Sequence, residues 1–373
     1  MSVSVTPSAP SALEFRAGPA ALAHLREHGL RAQDIAAIPA AAGGPKGLIL
    51  QALDQWLFGT WLAGAPRTRS LIGASIGAWR MAAACHADPV AAFQRLGDFY
   101  CGQRYPKNPP PELVSAMCRQ LLADFMGGHA HEILGHPHHR MHILAVRGKG
   151  MLAQPQTRQG VGMGFAGASL SNLVSRKRLA GHLERVVISD ARDELAWLKP
   201  AFDEFTNHHA PLNEQNLATA LLASGTLPMV MQPVPGIAGA PEGTYWDGGL
   251  IDYHLSFPYA QMPTGAAANI VLYPHFGAKI VPGWLDKSMP WRHASSARRN
   301  NWYDNVLLLS PSRAFLATLP RRKLPDRQDF HFYGLDHDAR IVAWQQAIGQ
   351  AQQLRDEFAA FVAQPDLSKV LPL

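Results

Sequence analysis

The chain is short of cysteine, of charge and of long apolar runs, and each shortage excludes something. Its three cysteines, Cys85, Cys101 and Cys118, are odd in number and lack metal-ligand or redox spacing, so they organise no such centre. A reducing cytoplasm is the expected compartment. Charged residues make up only 17% of the 373, against 47% hydrophobic, which rules out a disordered composition and leaves an ordinary globular one. No apolar stretch has the length and purity of a membrane span; residues 160–173 are broken by Ser, Asn and several glycines. The opening residues carry no basic region followed by an apolar core, so no signal peptide is expected. No internal repeat is present.

The net charge is +6, with basic clusters at Arg176-Lys177-Arg178, Arg298-Arg299 and Arg321-Arg322-Lys323. Each cluster reads first as a solvated face. The functional alternative is attraction to anionic lipid headgroups. No basic stripe interleaved with aromatics accompanies the charge, so nucleic acid is not an expected partner.

The organisation is that of an α/β protein. Residues 1–12 read as a loose arm and 13–373 as a single domain long enough to bury a sizeable core. A buried first strand is predicted over 34–42, and further strands over 70–72, 141–146, 268–273 and 305–309. Helices are predicted over 48–62, after residue 77 and over 338–362. Strands alternating with helices point to a mostly parallel sheet covered on both faces. Residues 150–175 are glycine-rich and carry one charge, Arg158; they read as a mobile flap, as a segment over a pocket, or as an ordinary long loop.

Between strand and helix stands Gly73-Ala74-Ser75-Ile76-Gly77, a G-x-S-x-G nucleophile-elbow candidate. A sharp turn lifts the hydroxyl clear of the sheet, and flanking glycines admit backbone and substrate. The helix start then favours an oxyanion nearby. An idle serine in a small-residue turn is the bland alternative. A hydroxyl nucleophile also needs a base and oxyanion donors. Gly43-Gly44-Pro45-Lys46-Gly47 offers backbone N–H groups from Gly43 and Gly44, although such turns also cradle phosphates or merely link elements. It lacks the Walker spacing. The base candidate is Asp247 in Tyr245-Trp246-Asp247-Gly248-Gly249-Leu250, a pattern that is often only a turn. An aspartate titrating near its reference pKa of about 3.9 is a poor base, so Asp247 must be desolvated and hydrogen-bonded to the serine.

These motifs, with Ala223-Ser224-Gly225-Thr226-Leu227-Pro228 between the serine and the aspartate, make the chain resemble the patatin-like phospholipases over about residues 35–255. The resemblance implies a three-layer α/β/α fold with a mostly parallel sheet. It also implies a serine lipid acyl hydrolase with a Ser75–Asp247 dyad, an acyl-enzyme intermediate and an oxyanion hole at Gly43 and Gly44. Lys46, Gly47, Gly73, Gly77, Gly248 and Gly249 would support the motifs. The resemblance implies no metal or other cofactor. The partners it implies are lipid or other acyl-ester substrates, with peripheral contact at a membrane surface. The chain departs from the family pattern in three places. Ala42 stands at the first oxyanion glycine, Lys46 at the usual arginine, and Asp252-Tyr253-His254-Leu255 where Asn and Pro are usual.

Two other readings stand beside this one. An α/β-hydrolase triad would draw its histidine from His254, His275, His331 or His337, although Ser75 comes early for that fold. A non-catalytic lipid- or protein-binding descendant is the other. Two patterns are set aside. Gly167-Ala168-Ser169-Leu170-Ser171 lacks the closing glycine and a preceding strand. His131-Glu132-Ile133-Leu134-Gly135-His136, within the histidine-rich segment 129–142, is one residue too long for H-E-x-x-H, and Gly135 and Pro137 oppose a helix there.

Overall fold

Among the described residues, short apolar runs bounded by glycine, proline and polar turns assemble into one sheet of ten strands. They are β1 (Leu13–Ala17), β2 (Ile35–Ala40), β3 (Arg69–Ala74), β4 (His139–Gly148) and β5 (Leu183–Asp190), then β6 (Asn207–Leu212), β7 (Tyr245–Asp247), β8 (Ile270–Pro274), β9 (Val306–Pro311) and β10 (Val370–Pro372). The computed structural model describes residues 11–155, 157–263, 268–293 and 301–373. The arm expected over 1–12 falls mostly outside these residues, and the Arg298-Arg299 cluster falls wholly outside them.

The strand order is β10-β1-β9-β8-β2-β3-β4-β5-β6, with β7 also on β4. Pairing is mostly parallel; β1–β9, β4–β5 and β4–β7 are antiparallel. Strands β2, β3, β5, β8 and β9 are buried at every residue. Such strands need cover on both faces, and helices supply it, giving the three-layer α/β/α arrangement.

The register around β4 positions the site. One edge of β4 pairs with β3 as far as Leu144, opposite Ala74, and then with β7 from Ala145, opposite Asp247. Parallel β3 and antiparallel β7 therefore both run toward the middle of β4 and end there. Ser75 directly follows β3, and Asp247 is the last residue of β7.

Several expectations need correction. The strand predicted over 34–42 is not the first, because β1 precedes it and pairs with β9 and β10 from the other end of the chain. Only distant partners stabilise β1, so it has little local signature. The helix predicted over 48–62 is a relay of a 3-10 segment Gly44–Leu50, an α-helix Gln51–Trp56 and a π-turn Leu57–Trp61. Residues 158–174 are not a loop but the α-helix Arg158–Val174. The Thr157 hydroxyl caps it by accepting the Gly160 N–H at 3.0 Å. Val161, Phe165 and Ala168 bury one face, with Phe165 edge-on to Trp246. Capping and burial outweigh the low propensity of its glycines. Residues 130–135 also form a short helix, Ala130–Gly135, which ends before Pro137. The C-terminal helix is two, His337–Gln350 and Gln352–Ala363, divided at Ala351.

Candidate active site

Ser75 has φ 56° and ψ −129°, a conformation that L residues avoid and that the surroundings must impose. The sequence allows it through close packing. A Cβ on Gly77 would lie 1.9 Å from the Ala40 carbonyl oxygen, and one on Gly73 would lie 2.5 Å from Ala78. The helix Ile76–Ala84 thus rests directly on the sheet. The Ser75 N–H donates to the Ser224 hydroxyl oxygen at 2.9 Å, and that hydroxyl donates to the Leu144 carbonyl at 2.6 Å. Ser224, at the end of helix Leu217–Ser224, therefore ties the elbow to β4. A buried bidentate pair, Arg80 with Asp54 at 2.7 and 2.8 Å, holds the elbow helix to Gln51–Trp56.

The Ser75 hydroxyl donates to Asp247 Oδ2 at 2.8 Å. The other carboxylate oxygen, Oδ1, accepts the Gly249 N–H at 2.7 Å. Gly248 leaves no room for a side chain, since its Cβ would meet the Leu144 carbonyl oxygen at 2.3 Å. Ser75 and Asp247 are both buried, at 5% and 4% exposure. Burial pushes the Asp247 carboxyl above the ordinary carboxylate range; the Arg327 charge and the hydrogen bonds from Ser75 and Gly249 oppose it. A hydroxyl bonded to a carboxylate that holds its proton more readily than usual can serve in nucleophilic acyl transfer.

The pair opens into a cavity of about 300 Å³. Gly43 lines it, and among the described residues the Gly43 N–H has no backbone or side-chain partner. Gly44, at φ +57°, sits just behind; a Cβ there would come within 3.2 Å of Arg327 Nε. Gly47 packs its bare Cα against Ile76 and Arg80. Lys46 reaches the cavity with its ammonium 5.5 Å from the Phe276 ring centre.

Two further cations line the cavity, and sequence reasoning missed both. Lys287 stands over the Tyr253 ring at 4.1 Å, and Arg327 faces it from the C-terminal part of the chain. Among the described residues none of these three cations is ion-paired. Desolvation, then the neighbouring Lys46 and Arg327 charges, bring the Lys287 ammonium down to about 7. Desolvation also lowers Lys46. Neither Lys287 nor Arg327 lies in a motif, so no local pattern could have pointed to them.

The four candidate triad histidines lie elsewhere. Among the described residues no histidine lines the cavity. His254 and His275 are buried against each other, and burial lowers both, His275 to about 3. Ser169 donates within its own helix to the Phe165 carbonyl. The basic clusters are not uniformly solvated faces. Arg176 pairs with Asp286, Arg321 with Asp329, and Lys323 with Asp326 and Asp329, whereas Lys177 and Arg178 are exposed.

No helix among the described residues is long and apolar enough to cross a membrane. No curated protein matches the chain. The family profile described as Patatin-like phospholipase matches residues 41–255, which contain both elbow and dyad candidates; Lys287 and Arg327 lie beyond it. With the sheet, the elbow and this match together, the chain belongs to the patatin-like phospholipase family.

Proposed function

We propose that the protein is a serine lipid acyl hydrolase working through a Ser75–Asp247 dyad. The observation that carries this reading is the 2.8 Å hydrogen bond from a strained elbow serine to a buried carboxylate of raised pKa. Ser75 Oγ attacks the acyl carbonyl carbon while its proton passes to Asp247 Oδ2. The oxyanion forms toward the amides of Gly43 and Gly44. Collapse breaks the ester bond, and the departing alkoxide takes the proton from Asp247. Water then attacks the acyl-Ser75 ester, gives its proton to Asp247, and releases the carboxylic acid as Ser75 recovers its hydrogen. Lys46, Arg327 and a partly protonated Lys287 stand against the Asp247 and Asp326 carboxylates in the same cavity, a balance that favours an ester bearing an anionic group, as a phospholipid does, over a neutral one.

Contact with a membrane surface is supported by the outer face of helix Arg158–Val174. Met163, Leu170 and Val174, seven and four residues apart, are each at least 60% exposed. Their spacing puts them on one side of the helix. Met229 packs beside Gly162 and continues this apolar surface toward Leu227 at the cavity. Exposed Arg158, Lys177 and Arg178 flank it. Apolar side chains between cations suit an interface of anionic lipid. The free Cys85, Cys101 and Cys118 thiols favour a cytoplasmic setting. One sheet recruiting strands from Leu13 to Pro372 supports a single working domain over 13–373.

The test is product analysis on a panel of phospholipids and neutral esters, with intact-mass detection of acyl-Ser75 after a rapid acid quench. Release of fatty acid with a transient acyl adduct, both absent in Ser75→Ala, is the expected result. Fatty-acid release persisting in Ser75→Ala would overturn it.

A further inference from the structure

We propose that His86, His129 and Glu132 form a binding site for one divalent transition-metal ion of the zinc type, remote from the candidate active site. His86 follows the elbow helix Ile76–Ala84, separated from it only by Cys85. His129 precedes helix Ala130–Gly135, and Glu132 lies in its first turn. One ligand atom from each of the three side chains lies within 4.8 Å of the others. His86 Nδ1 is 3.8 Å from Glu132 Oε2, and His129 Nδ1 is 2.8 Å from Glu132 Oε1.

The observation that asks for a ligand is His86 itself. The residue is 2% exposed, and both of its ring nitrogens are buried with no hydrogen-bond partner among the described residues. Either neutral tautomer carries one N–H donor and one acceptor, so the protein alone leaves both unsatisfied in a ring packed between Phe125 and His129. A metal ion would take up the acceptor nitrogen.

The donor set fits the zinc class. Tetrahedral zinc with bonds near 2.1 Å sets its ligands roughly 3.4 Å apart, inside the 4.8 Å within which one ligand atom of each side chain already lies from the others. Two imidazoles and one carboxylate suit zinc or its transition-metal neighbours, whereas calcium and magnesium prefer oxygen alone. The Ala87 N–H donates to Glu132 Oε2 at 2.9 Å and orients the carboxylate. The His129 and Glu132 side chains, 42% and 21% exposed, leave the outer side open for a water ligand. The ion would clamp the far end of the elbow helix to the segment that leads into β4. At 1.5 Å per helical residue it would lie about 15 Å from Ser75. Its role is therefore structural, and it stands independently of the hydrolase reading.

The test uses untagged full-length protein stripped with a chelator and titrated with zinc against a chromophoric competitor, and separately with cobalt followed by visible absorption. The expected result is one zinc per chain and a zinc-dependent rise in Tm. His129→Gln and Glu132→Gln should each weaken binding by at least the roughly 10- to 100-fold that loss of an outer-shell partner costs. A His131→Gln/His138→Gln double variant should bind as the parent does. Both single changes are at partly exposed positions, so the test survives if His86→Ala fails to fold. Stoichiometric binding lost only in the His131/His138 variant, or no binding below about 100 μM in the parent, would overturn the site.

Discussion

Ser75 and Asp247, 172 residues apart, meet at 2.8 Å because β3 and β7 end against neighbouring positions of β4, Leu144 and Ala145. Neither strand pairs with the other. The contact depends on the register of a third strand, and on Ser224, which bonds the elbow to Leu144 from the side.

Removing either partner should end ester hydrolysis. Ser75→Ala and Asp247→Asn are each expected to lower kcat/KM on a short-chain ester by about 10³-fold or more, with circular dichroism unchanged. Only the parent and variants retaining both groups should be labelled by a fluorophosphonate. Turnover by either variant within tenfold of the parent would remove that residue from the mechanism.

Acid should switch the activity off above the ordinary carboxylate range. The folded pKa of Asp247 lies above 3.8 because of burial, so kcat/KM should fall as pH drops through that raised value. The sign for stability follows from linkage. A carboxyl whose pKa is raised by folding works against the folded state when ionised, and that penalty disappears as pH falls through the folded pKa. Asp247→Asn is therefore expected to melt no lower than the parent at pH 7, with any gain vanishing in acid. An activity limb at or below pH 3.8 would contradict the assignment.

Ser224→Ala should damage both stability and rate without touching substrate. It leaves the buried Ser75 N–H and the Leu144 carbonyl without their partner, a loss of about 1–3 kcal/mol. Because the Ser75 amide is then untethered, kcat is expected to fall more than KM rises. Denaturant titration beside steady-state kinetics checks this; an unchanged midpoint with unchanged kcat would refute the tie.

Charging the outer face of helix Arg158–Val174 should release the protein from lipid. Leu170→Asp with Val174→Asp is expected to reduce sedimentation with phosphatidylglycerol vesicles by about tenfold or more. Hydrolysis of a water-soluble ester should persist. Equal vesicle binding by parent and double variant would exclude this face as the contact.

Much of the site was legible because its motifs are local. Gly73 and Gly77 flank Ser75 where the backbone is pressed against β2 and the elbow helix. Gly248 and Gly249 follow Asp247 where a carbonyl and Ala42 leave no space. Those positions accept little else, so they mark themselves. Helix Arg158–Val174 was illegible for the opposite reason. Its glycines speak against a helix, and only Thr157 capping and burial beside Trp246 reverse that preference. Likewise β1 is held by β9 and β10, partners that no window around residue 15 contains.

By itself the sequence determined the backbone chemistry: which residue turns on positive φ, which glycines let chains touch, and which aspartate could face a serine. Tertiary structure alone decided the electrostatics. Lys287 and Arg327 enter the cavity from beyond the matched span, and the desolvation that raises Asp247 is set by everything packed around it. The reason is physical. Steric exclusion acts on adjacent atoms and leaves its trace in neighbouring residues, whereas burial and charge act through space between segments that the chain order keeps far apart.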